Sequence, residues 1–350
     1  MNSITIARVA GAVAAVVAGT MPVAAGPVQV GYPQPTLDRW NYPFNSTPGV
    51  RNEASCFASL NLAGFDDRDA EFLVGFDTAN AAVPGLGAPS YVIHSARIRV
   101  TISQGDRFVY DPTWDSVASS YDPTDPLYQP DADAGKPIEV FGVGYRNGYG
   151  AVTTRATTEF CETCPFGGAP IVPPAEGARN AFPAVFDAAG QATDVARQVR
   201  LHFEATPMGV GQANLQPGQM VPANTEFTFE INLCDPSTRA YFQRALNDGR
   251  LNLIITSLHA TTGPTSTQYP VFYTKENPLA VSMGYMAKLD LMVNQGRRSD
   301  ADNDGILSVN DFIYFMNFYA GGHPAADVDD NCQLNINDFI GFMNLYAAGR

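Results

Sequence analysis

Two stretches of this chain are near-copies of each other. "DADNDGILSVNDFIYFMNFYAGG" begins at Asp300, and "DVDDNCQLNINDFIGFMNLYAAG" begins at Asp327. A shift of 27 residues leaves over half of the aligned positions identical. An internal duplication constrains the fold more than any local propensity, because a repeated unit generally cannot bury its apolar face alone.

Each copy opens with acids, amides or, at Ser308, a hydroxyl at positions 1, 3, 5, 9 and 12 of a twelve-residue window. Calcium takes six to eight oxygens, and such a loop supplies them from positions 1, 3, 5, 7, 9 and 12. In loop one these are Asp300, Asp302, Asp304, the Ile306 carbonyl, Ser308 and Asp311. Gly305 stands at position 6, where the chain turns sharply with positive φ. In loop two they are Asp327, Asp329, Asn331, the Gln333 carbonyl, Asn335 and Asp338. Asn331 brings no charge there, and Cys332 replaces the glycine, so loop two is expected to bind Ca2+ less tightly.

A helix is predicted after each loop. Ser308 and Asn335 are candidate N-caps, with Asp311 and Asp338 three residues on. Phe312, Phe315, Met316 and Tyr319 recur at helical spacing, as do Phe339, Phe342, Met343 and Tyr346. Two such helices can bury these faces against each other. "NQGRRS" before loop one reads as a linker, so each unit is a loop with only an exiting helix, half an EF-hand.

Paired loops with Asp at position 12, no entering helix and an aromatic exit helix resemble the type I dockerin family, over Asp300 to about Gly349. The resemblance implies calcium-dependent folding and docking to a cohesin-like or cell-surface protein. The Ser/Thr pair often found at loop positions 10 and 11 of that family is Val309-Asn310 and Ile336-Asn337 here. Cassettes of this kind also end many secreted bacterial proteins, notably of planctomycetes.

At 350 residues the chain has room for one large domain besides the cassette. Its net charge of −14 argues against nucleic acid and anionic membranes as partners. The N-terminus has one early Arg8, an apolar run from Val9 to Ala18 and a small-x-small Val23-Ala24-Ala25. It reads as a secretory signal over residues 1–25, which predicts an extracellular or envelope location. In an oxidising compartment some of the five cysteines should pair. Cys161 and Cys164 suit a local disulfide, Cys56 with Cys234 is a candidate long-range bridge, and Cys332 is left over.

Residues 26–294 read as the large domain, 295–299 as the linker and 300–350 as the cassette. "SARIRVTI", "QVRLHFE", "TEFTFEINL" and "AKLDLMV" alternate apolar and polar residues, as half-buried strands do. Asp235, Pro236 and Gly249 bracket one predicted helix in "DPSTRAYFQRALNDG". The fold class expected is mainly β: a jelly-roll-like antiparallel β-sandwich with one short connecting helix, followed by the small helical cassette.

Residues 106–150 are rich in Asp, Pro and Tyr. Tyr110, Trp114, Tyr121, Tyr128 and Tyr145 either offer faces for sugar stacking or pack this excursion onto the sandwich. Asp131 and Asp133 are a further, incomplete calcium candidate. Arg68, Phe76, Asp77, Ser95 and Ala96, with Lys275-Glu276 and the flanking strands, resemble the ends of DNRLRE-type, disaggregatase-related sandwich modules. That likeness implies extracellular glycan binding or surface adhesion.

The sequence has no G-x-S-x-G, H-E-x-x-H, P-loop or dinucleotide motif. Glu71, Glu139, Glu204, Glu226 and Glu230 are available to a glycosidase, and nothing in the sequence ranks them. The leading expectation is a secreted calcium-binding protein whose non-catalytic sandwich attaches to a surface or glycan. The alternatives are a component of extracellular polysaccharide degradation and a structural envelope protein.

Overall fold

A computed structural model of the chain describes residues 28–60, 62–167, 177–261 and 268–349. The expected leader, residues 1–25, lies outside them. Among the described residues no helix is long and apolar enough to cross a membrane.

The early strands are β1 Val28–Tyr32, β2 Leu37–Asn41, β3 Glu53–Ser55, β4 Phe57–Ala58, β5 Arg68–Asp77, β6 Tyr91–Thr101 and β7 Ile138–Tyr145. Then come β8 Tyr149–Gly150, β9 Thr158–Glu159, β10 Ala181–Phe186, β11 Ala192–Asp194, β12 Gly209–Val210 and β13 Glu226–Glu230. Helix α1 Pro236–Asp248 precedes β14 Arg250–Ser257 and β15 Val271–Tyr273. Helix α2 Pro278–Met283, strand β16 Lys288–Gln295 and helices α3 Val309–Ala320 and α4 Ile336–Ala348 complete the chain.

The fold is mainly β, with two antiparallel main sheets. One has the order β1-β16-β6-β13 and the other β11-β10-β7-β14-β5-β2. The alternation read from the sequence points Ala96, Ile98 and Val100 of β6 inward, with Phe227 and Phe229 of β13 and Leu289, Leu291 and Val293 of β16. They share one core with Phe72, Val74 and Phe76 of β5, Val140 of β7 and Leu251, Leu253 and Ile255 of β14. Phe242 and Leu246 of α1 join the same core. The Asp235 side chain caps α1 by accepting from the Thr238 amide, and Gly249 ends it in the left-handed region.

The larger sheet is covered on its other face as well. Leu73, Val143 and Ile254 point there and pack with Phe160 and Cys164. Cys161 and Cys164 form the expected local disulfide. The buried Arg39 guanidinium holds that turn, donating to the carbonyls of Glu162 at 2.9 Å and Cys164 at 2.7 Å. Burial on both faces explains why β5 is a continuous apolar run from Phe72 to Val74 rather than an alternating one.

Four expectations are corrected. The sandwich has two connecting helices rather than one, since the Asn277 side chain and Pro278 start α2 besides α1. "QVRLHFE" is a turn, not a strand with Val199, Leu201 and Phe203 on one face: Leu201 is 55% exposed, and His202 has φ 51°. Local bonds win over alternation there, since the His202 amide donates to Val199 O and the Phe203 amide to Gln198 O. The Arg200 side chain is drawn to Asp67 at 2.8 Å. Cys56 does not pair with Cys234: it is a free thiol in the sandwich core, its Sγ 3.3 Å from Ile255 O. Cys332 is not left over, because it forms a disulfide with Cys234 across 98 residues of sequence.

Candidate metal centre

The two loops fold alike, with matching amide-to-carboxylate bonds at corresponding positions. The Gly305 amide donates to Asp300 Oδ2 at 2.9 Å, and the Cys332 amide donates to Asp327 Oδ2 at 2.7 Å. The Asp304 amide reaches Asp302 Oδ1, and the Asn331 amide reaches Asp329 Oδ1, both at 3.2 Å. Asp311 accepts from the Ser308 amide at 2.7 Å, and Asp338 accepts from the Asn335 amide at 2.8 Å. The side chains of Ser308 and Asn335 in turn accept from the amides of Asp311 and Asp338, which completes a capping box on each helix, and also from those of Asn310 and Asn337. One aspartate thus starts each helix and faces its loop.

Positive φ recurs at positions 4 and 6: Asn303 at 56° and Gly305 at 81°, then Asp330 at 58° and Cys332 at 59°. A Cβ at Gly305 would meet nothing within 4 Å, so glycine is needed there for its backbone alone.

Carboxylates converge in both loops. One oxygen each of Asp300, Asp302 and Asp311 lie within 4.8 Å of one another, and so do those of Asp327, Asp329 and Asp338. Asp300, Asp302 and Asp311 are all buried. Burial first, and neighbouring carboxylates with it, push the carboxyls of Asp300, Asp302 and Asp327 above the usual range. Of the other predicted ligands, Asp304 and Asn331 turn a side-chain oxygen to the amides of Ile306 and Gln333, at 2.7 Å each. The Gln333 carbonyl accepts from Asn335 Nδ2 at 2.8 Å, and the Ile306 side chain is exposed. An all-oxygen donor set on a tight loop, with its carboxylates crowded and desolvated, fits a hard divalent cation of calcium type.

Two other acidic groups differ. Asp111, Asp115 and Asp133 converge, but Lys136 lies 3.2 Å from Asp115 and 2.7 Å from Asp131. Asp131 is therefore committed to an ammonium and does not join Asp133. Asp38, Glu162 and Glu276 likewise surround Lys275.

Loop two also touches the sandwich. Besides the Cys332 disulfide, Arg239 Nη1 of α1 donates to Asp330 O, and Arg298 Nη1 donates to Val328 O, both at 2.8 Å. Arg298 Nη2 bonds the Asp330 carboxylate as well. Residues 295–299 are thus a packed joint in which Ser299 is fully buried. Sequence reasoning missed these contacts; the only signal was a cysteine in place of a turn glycine.

The aromatic residues of the 106–150 excursion mostly pack inward. Tyr110, Tyr121 and Tyr145 are buried or bonded within the fold, and Trp114 stays 44% exposed. Phe108, Tyr121, Tyr128, Lys136, Met220 and His259 line a cavity of about 520 Å³ at the edge of the sandwich. Glu71 and Glu139 are buried in ion pairs with Arg179 and Arg68. Glu204 accepts from Ser116, while Glu226 and Glu230 pair with Lys288 and Arg97 on the surface. No protein-family model matches the chain, and no curated protein matches it.

Proposed function

We propose that this chain is a secreted, calcium-binding attachment protein. Its sandwich, of jelly-roll type, binds a glycan or surface ligand, and its C-terminal pair of loops is a dockerin-like cassette that binds Ca2+. The observation that carries this reading is the repetition of a converged carboxylate set in two loops 27 residues apart, buried throughout in loop one and at Asp338 in loop two. The exposed pairs Val309 with Ile336 and Ile313 with Ile340 give the cassette two equivalent apolar strips for a cohesin-like or other protein partner. The aromatic-walled cavity beside His259 and the exposed Trp114 are where a sugar would sit on the sandwich.

The test is a calcium titration of the full chain after chelation, followed by calorimetry and thermal melting. Binding to the folded state raises its stability by mass action. A higher melting temperature in calcium, abolished for the cassette by Asp300→Ala with Asp327→Ala, is the expected result. No binding at millimolar calcium would end the reading. A glycan array with and without calcium, beside a reducing-sugar assay, separates attachment from polysaccharide breakdown.

A further inference from the structure

We propose that the β-sandwich positions the second loop for its cation: Cys234, Arg239 and Arg298 hold that loop in its binding shape. The proposal rests on the calcium reading above and adds to it the residues outside the loop that set affinity there.

The anchors fall on alternate residues. Arg298 takes Val328 O, both arginines take Asp330, and Cys234 takes Cys332. These are loop positions 2, 4 and 6. The candidate ligands Asp327, Asp329 and Asn331 hold positions 1, 3 and 5 between them. Every second residue is thus tied to the sandwich or to the 295–299 joint that leaves it, while the intervening side chains stay free to turn inward. Arg239 is itself fixed, donating to Leu233 O at 3.0 Å beside the cysteine that precedes α1.

Loop one is tied to the sandwich by no disulfide among the described residues. Its positions 2, 4 and 6 are Ala301, Asn303 and Gly305, which lack the groups for a disulfide. Its left-handed turn is met by glycine, whose backbone adopts that region at no steric cost. In loop two the same turn is occupied by Cys332 at φ 59°, where a side chain is strained unless its surroundings fix it. The disulfide supplies that fixation. It also closes a long stretch of chain and so restricts the unfolded ensemble. A loop already held in shape loses less freedom on binding, and by linkage calcium in loop two tightens the cassette against the sandwich.

The experiment uses the full chain, with calcium as the probe, and compares wild type with Cys234→Ser, Cys234→Ser/Cys332→Gly and Arg239→Gln/Arg298→Gln. Calorimetry reads affinity, and amide hydrogen exchange over 327–338 in chelator reads loop order without metal. Cys234→Ser should weaken one calcium step by about tenfold, a typical coupling factor, and leave the other nearly unchanged. It should also abolish exchange protection of the loop-two amides. The arginine pair variant, which keeps the disulfide, should weaken the same step less. If Cys234→Ser and the arginine variant change neither affinity nor protection while both steps persist, calcium binding stands and the positioning role falls. Full recovery of affinity in Cys234→Ser/Cys332→Gly would reduce the effect to strain at one residue and overturn the role of the sandwich. Absence of calcium binding in wild type would overturn both readings together.

Discussion

Phe315 and Phe342 stack face to face, with ring centroids 4.0 Å apart and planes 3° from parallel. They are the same residue of the two repeats, so the duplication meets itself at this contact. Each is about 1% exposed, and the other ring neighbours Tyr319, Phe339 and Tyr346 surround them. Truncating either ring leaves a cavity that short helices cannot close. Phe315→Ala should destabilise the cassette by about 3–5 kcal/mol. Hydrogen exchange in calcium should show α3 and α4 opening together while β6 and β16 stay protected. Loss of protection in one helix only would contradict a shared core.

Arg68 and Glu139 form a second decisive pair, 2.5 Å apart and almost wholly buried on the larger sheet. The Arg68 guanidinium also lies 5.1 Å over the Phe141 ring. Burial pushes the Glu139 carboxyl up and Arg68 pulls it back. Removing one charge strands the other, so Glu139→Gln should cost about 3–5 kcal/mol in urea unfolding. Replacing both, as Arg68→Met with Glu139→Leu, should recover most of that. A double variant as unstable as the single one would show that the pair itself, rather than the stranded charge, carries the stability.

Gly144 of β7 tests how tightly Phe182 is packed against the face of the larger sheet opposite Val143. A Cβ there would lie 2.2 Å from Phe182 Cε2, and that ring is itself covered by Arg146 at 4.1 Å. The ring is walled in and cannot yield freely, so Gly144→Ala should destabilise the domain by about 1–3 kcal/mol. The melting temperature should fall with no change in calcium binding. A neutral result would mean that Phe182 has room to move.

Period and capping made much of this legible in the sequence. The inward faces of β6, β13 and β16 follow from alternation, and the ends of α1 follow from Asp235, Pro236 and Gly249. The loop positions and both capping boxes follow from the repeat. Long-range pairings were not legible. Nothing local tells Cys234 to choose Cys332 over Cys56, because the choice depends on which cysteine the sheets bury. The outer layer on the larger sheet was hidden for a similar reason: its holder, Arg39, is an ordinary-looking charge until it is found fully enclosed. "QVRLHFE" misled because alternation is also compatible with a turn when an ion pair such as Arg200 with Asp67 fixes the backbone.

The joint between sandwich and cassette should respond to acid through His94. This residue of β6 lines a small cavity with Asn294, Arg298, Ala301 and Phe315, and its Nε2 is buried without a hydrogen-bond partner. Burial pushes its imidazole down to about 4, with neighbouring His323 and Arg298 adding and Asp330 opposing. The unfolded chain therefore takes up the proton more readily than the folded one. The contribution of His94 to stability is complete above about pH 6.5 and is lost as the pH falls from there through about 4. At about 1.4 kcal/mol per pH unit, the loss is at most roughly 3.5 kcal/mol. His259, pushed down to about 3 by burial in the sandwich, adds a similar slope that does not involve the cassette. His94→Leu should therefore remove part of the acid sensitivity between pH 6.5 and 4.5, and hydrogen exchange should show the effect at β6, β16 and the 295–299 joint. Urea unfolding of the two proteins at several pH values reads it directly, and parallel stability curves across that window would exclude His94 as the group responsible.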